Sequence, residues 1–434
     1  MGIVFSREKR KESFLLLIYK IVMEVIYQYV AHPLYDYAGL TLNINIQKAV
    51  ISYLLFFTLI SLPSYKVECV SKYLLRIFLL FTIIPLLCIY WQTDRSTSYV
   101  LMACLSYMII YFLCQTKNEK PVYLLSMSGL GKINILFVLL IINVVCLLTF
   151  TAVYGLADFR ALVMDNIYTL RAEREYTGIW AYVNKWMTYS FVPCMLCIAL
   201  KKKRSIYVVA AILIQFYMFL HTGMKSTLFS IGLILYSYYL VQKRKNYSNW
   251  WTAALIGLSI MSTLFYKLTT KLTLISVFPV RLTNLPAIIS FNHYDFFSNN
   301  PKLYFSEIFI GRLFGIKSPY DTFSTFLVSQ SGGNANTGYI ADAYDNAGFL
   351  CIIAYSVILA FILRYIDRLQ RRSGEDALPV YVGIMTYIML FLNDGSLTSS
   401  LVTGGLFITM FILSRYKELV TPETMIQELI IYDR

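Results

Sequence analysis

The sequence predicts an all-α polytopic membrane protein, and three observations carry that expectation. Its 434 residues are 58% hydrophobic with a mean hydropathy of +0.61. Only 14% of them are charged, against roughly 25% in a soluble domain. Finally, apolar runs of about 20 residues, the length needed to cross a bilayer as a helix, recur about twelve times. An ordinary cytosolic enzyme is excluded, as are disordered, collagenous and disulfide-framed chains.

The spans are expected near 12–32, 47–65, 73–91, 98–114, 133–154, 181–200, 205–221, 226–242, 250–266, 344–364, 378–392 and 400–414. Unbroken hydropathy argues for helices, because a strand would leave backbone groups unsatisfied in lipid. Cationic clusters set the orientation: Arg7 to Lys11, Lys66 and Lys72, Lys117 and Lys120, Lys201 to Arg204, Lys243 to Lys245 and Arg364 to Arg372 all fall on one side of successive spans. Cationic loops resist translocation, so that side and both termini are expected to be cytoplasmic. The net charge of +14 is thereby mostly topology, which leaves no case for nucleic-acid binding. Lys20 and Glu24 interrupt the first span and no small-residue cleavage site follows, so a cleavable signal peptide is not expected. The whole chain reads as a single integral membrane domain.

Two segments on the opposite side, about 155–180 and 267–343, are too long to be connectors, and extended outer loops usually carry function. In the first, Arg160, Arg171 and Arg174 run against the charge rule. With Asp158 capping a helix and Gly178 ending it, offsets of 11 and 14 residues return to within about 20° and 40° of one face. Three guanidiniums there would grip a phosphate bidentately, or else pair with Asp165, Glu173 and Glu175 or with lipid headgroups. Lys225, after the turn that follows His221, offers a further phosphate contact or a snorkelling amine.

The second loop carries Lys267, Lys271, Arg281, His293, Asp295, Lys302, Glu307, Arg312 and Lys317, and ends in a run of small and polar residues. Asn336, Thr337, Asp342, Tyr344 and Asp345 are placed at the membrane mouth, where short polar groups among aromatics suit a sugar-binding wall. Alternatively the glycines form turns and an Asp caps the next helix. His293 is either a general base or an exposed loop residue.

Other candidates count for less. Cys194 and Cys197 have redox spacing but sit mid-span and read as core. With three His in the chain, a His-rich metal site is not expected. Lys20 and Glu24 are expected to neutralise each other, although a proton-coupled transporter would use the same chemistry. Pro85 and Pro193 predict kinks. No Walker loop, dinucleotide fingerprint or HExxH motif is present, and Asp36 has no acidic neighbour to share a metal. No cofactor is expected, and a bound phosphate would be held by arginines.

Arg281, Pro286, His293-Tyr294-Asp295-Phe296-Phe297, Gly311, Asn336-Thr337-Gly338, Asp342-Ala343-Tyr344 and Gly348 together form a pattern that resembles the O-antigen polymerase (Wzy) family of oligosaccharide repeat-unit polymerases. The resemblance implies a bacterial inner-membrane enzyme of GT-C-like architecture with its active site facing the periplasm. Its substrates would be undecaprenyl-diphosphate-linked oligosaccharides, its surroundings membrane lipid, and a polysaccharide chain-length regulator a further partner. On that basis Arg281 and Arg312 would act on the leaving diphosphate and His293, Asp342 or Asp345 as base. Arg160, Arg171, Arg174, Lys225, Tyr294, Asn336, Thr337 and Tyr344 would bind substrate. An O-antigen ligase or a lipid-linked oligosaccharide flippase would draw on similar groups.

Overall fold

The computed structural model describes residues 7–62, 68–115, 134–162, 174, 176–243, 246–272, 274–329, 335–336 and 338–416. Among them every regular element is helical, and the only β pairing is an isolated bridge between Asn43 and Thr93. A helix is present at each of the twelve expected spans. Eight of these helices are long and apolar enough to cross a membrane: Arg7–Tyr35, Val70–Gln92, Thr97–Cys114, Ile135–Tyr154, Ser205–Thr222, Tyr247–Thr269, Tyr339–Arg372 and Leu397–Arg415. The other four depart from expectation for visible reasons. Ile46–Ser61 and Leu378–Phe391 are short. Asn184, Lys185, Thr188 and Ser190 lower the hydropathy of the stretch 179–201, and serines and tyrosines dilute Lys225–Gln242.

Two compact units emerge, each assembled from separated stretches. The first takes residues from 1–117, 244–363 and 389–400, and the second from 118–243, 364–388 and 401–434.

Within the first unit, Leu16, Tyr19 and Met23 on one helical face are fully buried. Charges that share this interior are paired. Glu12 Oε1 lies 2.7 Å from Arg76 Nη2, both side chains fully buried. Its other oxygen is 3.6 Å from Lys9 Nζ, which donates to the Ile60 carbonyl at 2.8 Å. Glu24 accepts from Lys20, from Tyr53 Oη at 2.6 Å and from Trp91 Nε1 at 2.8 Å. Lys20 also sits 4.1 Å from the Tyr53 ring centre. That carboxylate is fully engaged, which matches a neutralised structural pair.

In the second unit, Tyr189 stacks on Tyr387 with ring centres 4.5 Å apart. Ser190 Oγ donates to the Gly405 carbonyl at 2.8 Å, and Gln215 Nε2 donates to Ser230 Oγ at 2.9 Å. Cys194 and Cys197 are free and fully buried, as core residues are.

Prolines leave a consistent mark. Pro33, Pro85, Pro193 and Pro286 each stand at the second residue of an α-helix that follows a π-helical stretch: Tyr27–Ala31, Leu79–Ile83, Met187–Phe191 and Ser276–Asn284. A proline ring cannot donate to the preceding turn and collides with the carbonyl four residues back. Widening that turn by one residue relieves the collision without ending the helix. The kinks expected at Pro85 and Pro193 are therefore π turns.

The Glu12 pairings set an order of mutational effects. Removing one partner of a buried pair costs about 3–5 kcal/mol because the other charge is stranded. Glu12→Gln strands both Arg76 and Lys9, whereas Arg76→Met leaves Glu12 beside Lys9. Thermal unfolding in detergent should show the larger drop for Glu12→Gln; equal drops would refute the shared-anion arrangement.

Candidate functional site

The residues of interest meet where Leu285–Asn299 approaches the start of Tyr339–Arg372, both stretches within the first unit. Leu285–Asn299 continues directly from the π-helical stretch Ser276–Asn284, with Pro286 at its second residue. It ends at Asn300, whose extended conformation suits the residue before Pro301. Ala287, Ile288, Phe291, His293 and Phe297 are buried along this helix, while Asp295 on its exposed side is bound by Arg95 Nη1 at 2.5 Å.

The partner helix, Tyr339–Arg372, is interrupted. Ala347 and Gly348 leave helical geometry, with φ of −153° and +69°. The second value is costly for any residue with a Cβ, which explains glycine at 348. The break frees the carbonyls of Asp345 and Asn346, and buried carbonyls require donors. They receive the amides of Leu303 at 2.9 Å and Tyr304 at 3.1 Å, while Asn346 Oδ1 accepts the Phe305 amide at 2.8 Å. Lys302 is thereby fixed beside the cluster.

At its centre, His293 Nδ1 lies 2.5 Å from Asp345 Oδ2 and Nε2 lies 3.0 Å from the carbonyl of Ala335. A carbonyl only accepts, so Nε2 carries a proton. A second proton therefore lies in the Nδ1 to Oδ2 contact. Both side chains are buried, His293 at 0% and Asp345 at 2% exposure. Burial opposes a charged imidazole, but the Asp345 carboxylate and the Ala335 carbonyl outweigh it and hold the His293 pKa above its ordinary value.

One turn away, Asp342 accepts a bond from Asn346 Nδ2 on Oδ1 at 3.3 Å. Its Oδ2 is buried and has no hydrogen-bond partner among the described residues, nor has Oδ1 of Asp345 or Nζ of Lys302. An unsatisfied buried polar group costs about 1–3 kcal/mol, a penalty that a bound reactant offering donors and acceptors would relieve. Lys302 Nζ stands 3.4 Å from the ring centre of Tyr344. Burial pushes its pKa down to about 8, against the opposing charge of Asp345.

Aromatic rings complete the wall. Tyr344 packs on Tyr294 at 4.7 Å and on Phe349 at 5.1 Å, and Tyr99 lies 4.9 Å from Tyr294. Tyr99 Oη is 2.5 Å from Ser290 Oγ.

The structure thus gathers His293, Asp342, Asp345, Tyr294 and Tyr344. It revises one placement: His293 is not an exposed loop residue but sits on a buried helical face with both ring nitrogens engaged. Nor does either Asp cap the apolar helix that follows, since both lie within the helical segment before the break at Ala347 and Gly348. Asn336 is exposed. Arg281 is exposed on the stretch Ser276–Asn284. Arg312, also exposed, donates from Nη2 to the Glu307 carbonyl at 3.1 Å.

Arg160, Arg174 and Lys225 belong to the second unit. Arg160 is paired with Asp158 two residues away, at 2.7 Å. Arg174 Nη2 donates to the Leu156 carbonyl at 2.9 Å and Nη1 to that of His221 at 3.3 Å. Lys225 opens its helix. Gly178, expected to end a helix, instead precedes one with φ +56°, a conformation foreign to right-handed helix. Arg171 and Thr337 lie outside the described residues.

Lys302, Tyr99, Ser290 and Arg95 complete the site without having been singled out by sequence. Lys302 stood among many loop cations, and nothing in the local pattern of Tyr99, Ser290 or Arg95 distinguishes them.

No protein-family model matches the chain, and no curated protein or solved structure is significantly similar to it.

The raised His293 pKa has a signed consequence. A group protonated more tightly in the folded chain stabilises it fully below the unfolded value, 6.5 for histidine, and loses that contribution as pH rises through the folded value. The unfolding midpoint should therefore fall as pH rises above neutrality. Asp345→Asn should flatten that dependence; an unchanged pH profile would show that Asp345 does not set it.

Proposed function

We propose that this chain is a membrane glycosyltransferase of the O-antigen polymerase type, in a bacterial inner membrane, with twelve crossings, GT-C-like architecture, cytoplasmic termini and a periplasmic site. The observation that carries the reading is the unpartnered Asp342 Oδ2 next to the His293–Asp345 pair, with Lys302 and a tyrosine wall beside it.

Repeat-unit polymerisation needs three things: a base for the attacking sugar hydroxyl, cations for a departing diphosphate, and a surface for sugar rings. Asp342 is the proton acceptor in this proposal, because a base needs a free lone pair and both nitrogens of His293 are engaged. As the acceptor hydroxyl loses its proton to Asp342, its oxygen bonds to the donor's anomeric carbon. The bond from that carbon to the diphosphate oxygen breaks, and the electron pair leaves with the diphosphate. Arg281, Arg312 and Lys302 neutralise the charge that develops there, the stage at which fixed cations lower a barrier most. No metal is called for in this scheme. The half-buried Tyr294 lines the sugar surface, and the buried Tyr344 packs behind it. The His293–Asp345 pair positions the Asp342 turn. A chain-length regulator is a further partner in this reading.

Purified protein incubated with a defined undecaprenyl-diphosphate repeat unit in EDTA should give a ladder of repeat-unit spacing on a gel. Transfer to lipid A core without a ladder would mean a ligase, and transport across liposomes without transfer a flippase. Asp342→Asn, correctly inserted, should lower polymer yield by about 10²–10⁴-fold, the usual worth of general-base catalysis; full-length polymer at wild-type rate would remove Asp342 from its role.

The ammonium of Lys302 gives a separate test. Polymer yield should fall as pH rises through about 8, and Lys302→Arg, whose charge persists, should keep its activity at higher pH. A wild-type profile flat across that range would exclude Lys302 as a required cation.

A further inference from the structure

Beyond the cluster, residues 309–327 build a feature that the proposed reaction does not use. Leu313, Phe314, Phe323 and Phe326 are exposed at 70%, 77%, 52% and 52%, and Ile316 at 37%. The segment is held in a defined shape. Arg312 accepts the Gly315 amide on its carbonyl at 3.0 Å, and the Ile316 amide reaches the Gly311 carbonyl at 3.0 Å. Glu307 accepts the Ser324 amide at 2.6 Å and the Ser324 hydroxyl at 2.8 Å. The Arg312 guanidinium lies 5.7 Å from the ring centre of Phe323, joining the two apolar stretches. Five large apolar side chains thus project from a braced segment that carries the exposed cations Arg312 and Lys317 and one exposed acidic residue, Asp321.

Its location follows from contacts already described. The amides of residues 303–305 are bound to residues 345 and 346, just before the apolar run that opens with Phe349 and the exposed Leu350. Gly311 is packed on the same strip so tightly that an added Cβ would stand 1.9 Å from the Phe305 carbonyl oxygen. The segment therefore starts beside the turn that precedes the apolar run of Tyr339–Arg372, a helix long and apolar enough to cross a membrane.

We infer that residues 312–326 form an interfacial anchor that inserts Leu313, Phe314, Ile316, Phe323 and Phe326 into the headgroup boundary of an anionic bilayer. Arg312 and Lys317 meet its phosphates. Apolar area gained from lipid and cations facing anionic headgroups are the two terms that hold such elements at a membrane surface. The inference does not depend on the polymerase reading, and the test below involves no glycan.

A photoreactive benzoylphenylalanine is placed at position 314, and separately at the exposed polar position 321, in full-length protein reconstituted into phosphatidylglycerol nanodiscs. Irradiation should give lipid adducts by mass spectrometry severalfold more abundant from position 314 than from 321. Equal yields, or none at 314, would overturn the inference. So would a crosslinked dimer as the main product at 314, since the patch would then belong to a second copy. Both substitutions replace exposed side chains, and elution of each variant as the wild-type particle shows that insertion is intact.

Discussion

Carbonyls released by a break in a helix must find donors wherever water is scarce, and this requirement organises the first unit's polar site. At Ala347 and Gly348 the helix Tyr339–Arg372 loses its geometry, and residues 303–305 supply the missing amides. That backbone exchange is what brings a segment distant in sequence against the turn carrying Asp342 and Asp345. Lys302 is held next to Tyr344 because its neighbour Leu303 is bound to Asp345. His293 then closes the arrangement from the other helix, its two nitrogens answering a carboxylate and a carbonyl. A residue with a Cβ at 348 would strain the break itself.

The remaining buried charges follow a different rule. Glu12 and Glu24 sit among apolar side chains with their cations and donors close by, so each carboxylate is compensated where it stands. The polar site differs in that Asp342 and Lys302 form no ion pair among the described residues, whereas Glu12 and Arg76, also without a well-formed hydrogen bond, stand 2.7 Å apart. A carboxylate and an ammonium left without opposite charge are what is expected when groups are kept for a reactant rather than for the fold.

Much of this was legible in the sequence, and the part that was not has definite causes. Hydropathy located a helix at every expected span because an apolar run of that length has few alternatives. His293, Asp342, Asp345, Tyr294 and Tyr344 stood out as chemically capable residues in a long loop. Their mutual placement did not, because His293 and Asp345 are 52 residues apart and meet only through tertiary packing. Asp342 and Asp345 looked like helix caps, since an acidic residue ahead of an apolar run usually is one. The break at Gly348 instead leaves them inside a preceding helical turn. Lys302 was one of six Lys and Arg residues in that loop, and its distinguishing property, burial against an aromatic face, has no sequence signature. Likewise the π turns ahead of Pro85 and Pro193 depend on how each helix relieves its ring clash, whereas the sequence announces only that relief is needed.

Thr82 donates to Asn393 at 2.8 Å across 311 residues of chain, and both belong to the first unit. That unit therefore lacks part of its own framework until residues 389–400 have been synthesised. Its early helices enter the bilayer long before residues 389–400 exist, and most of the second unit is synthesised in the interval. During biogenesis the half-built unit must remain soluble in lipid with polar groups waiting for late partners, so chain order imposes a schedule on assembly that the finished architecture conceals.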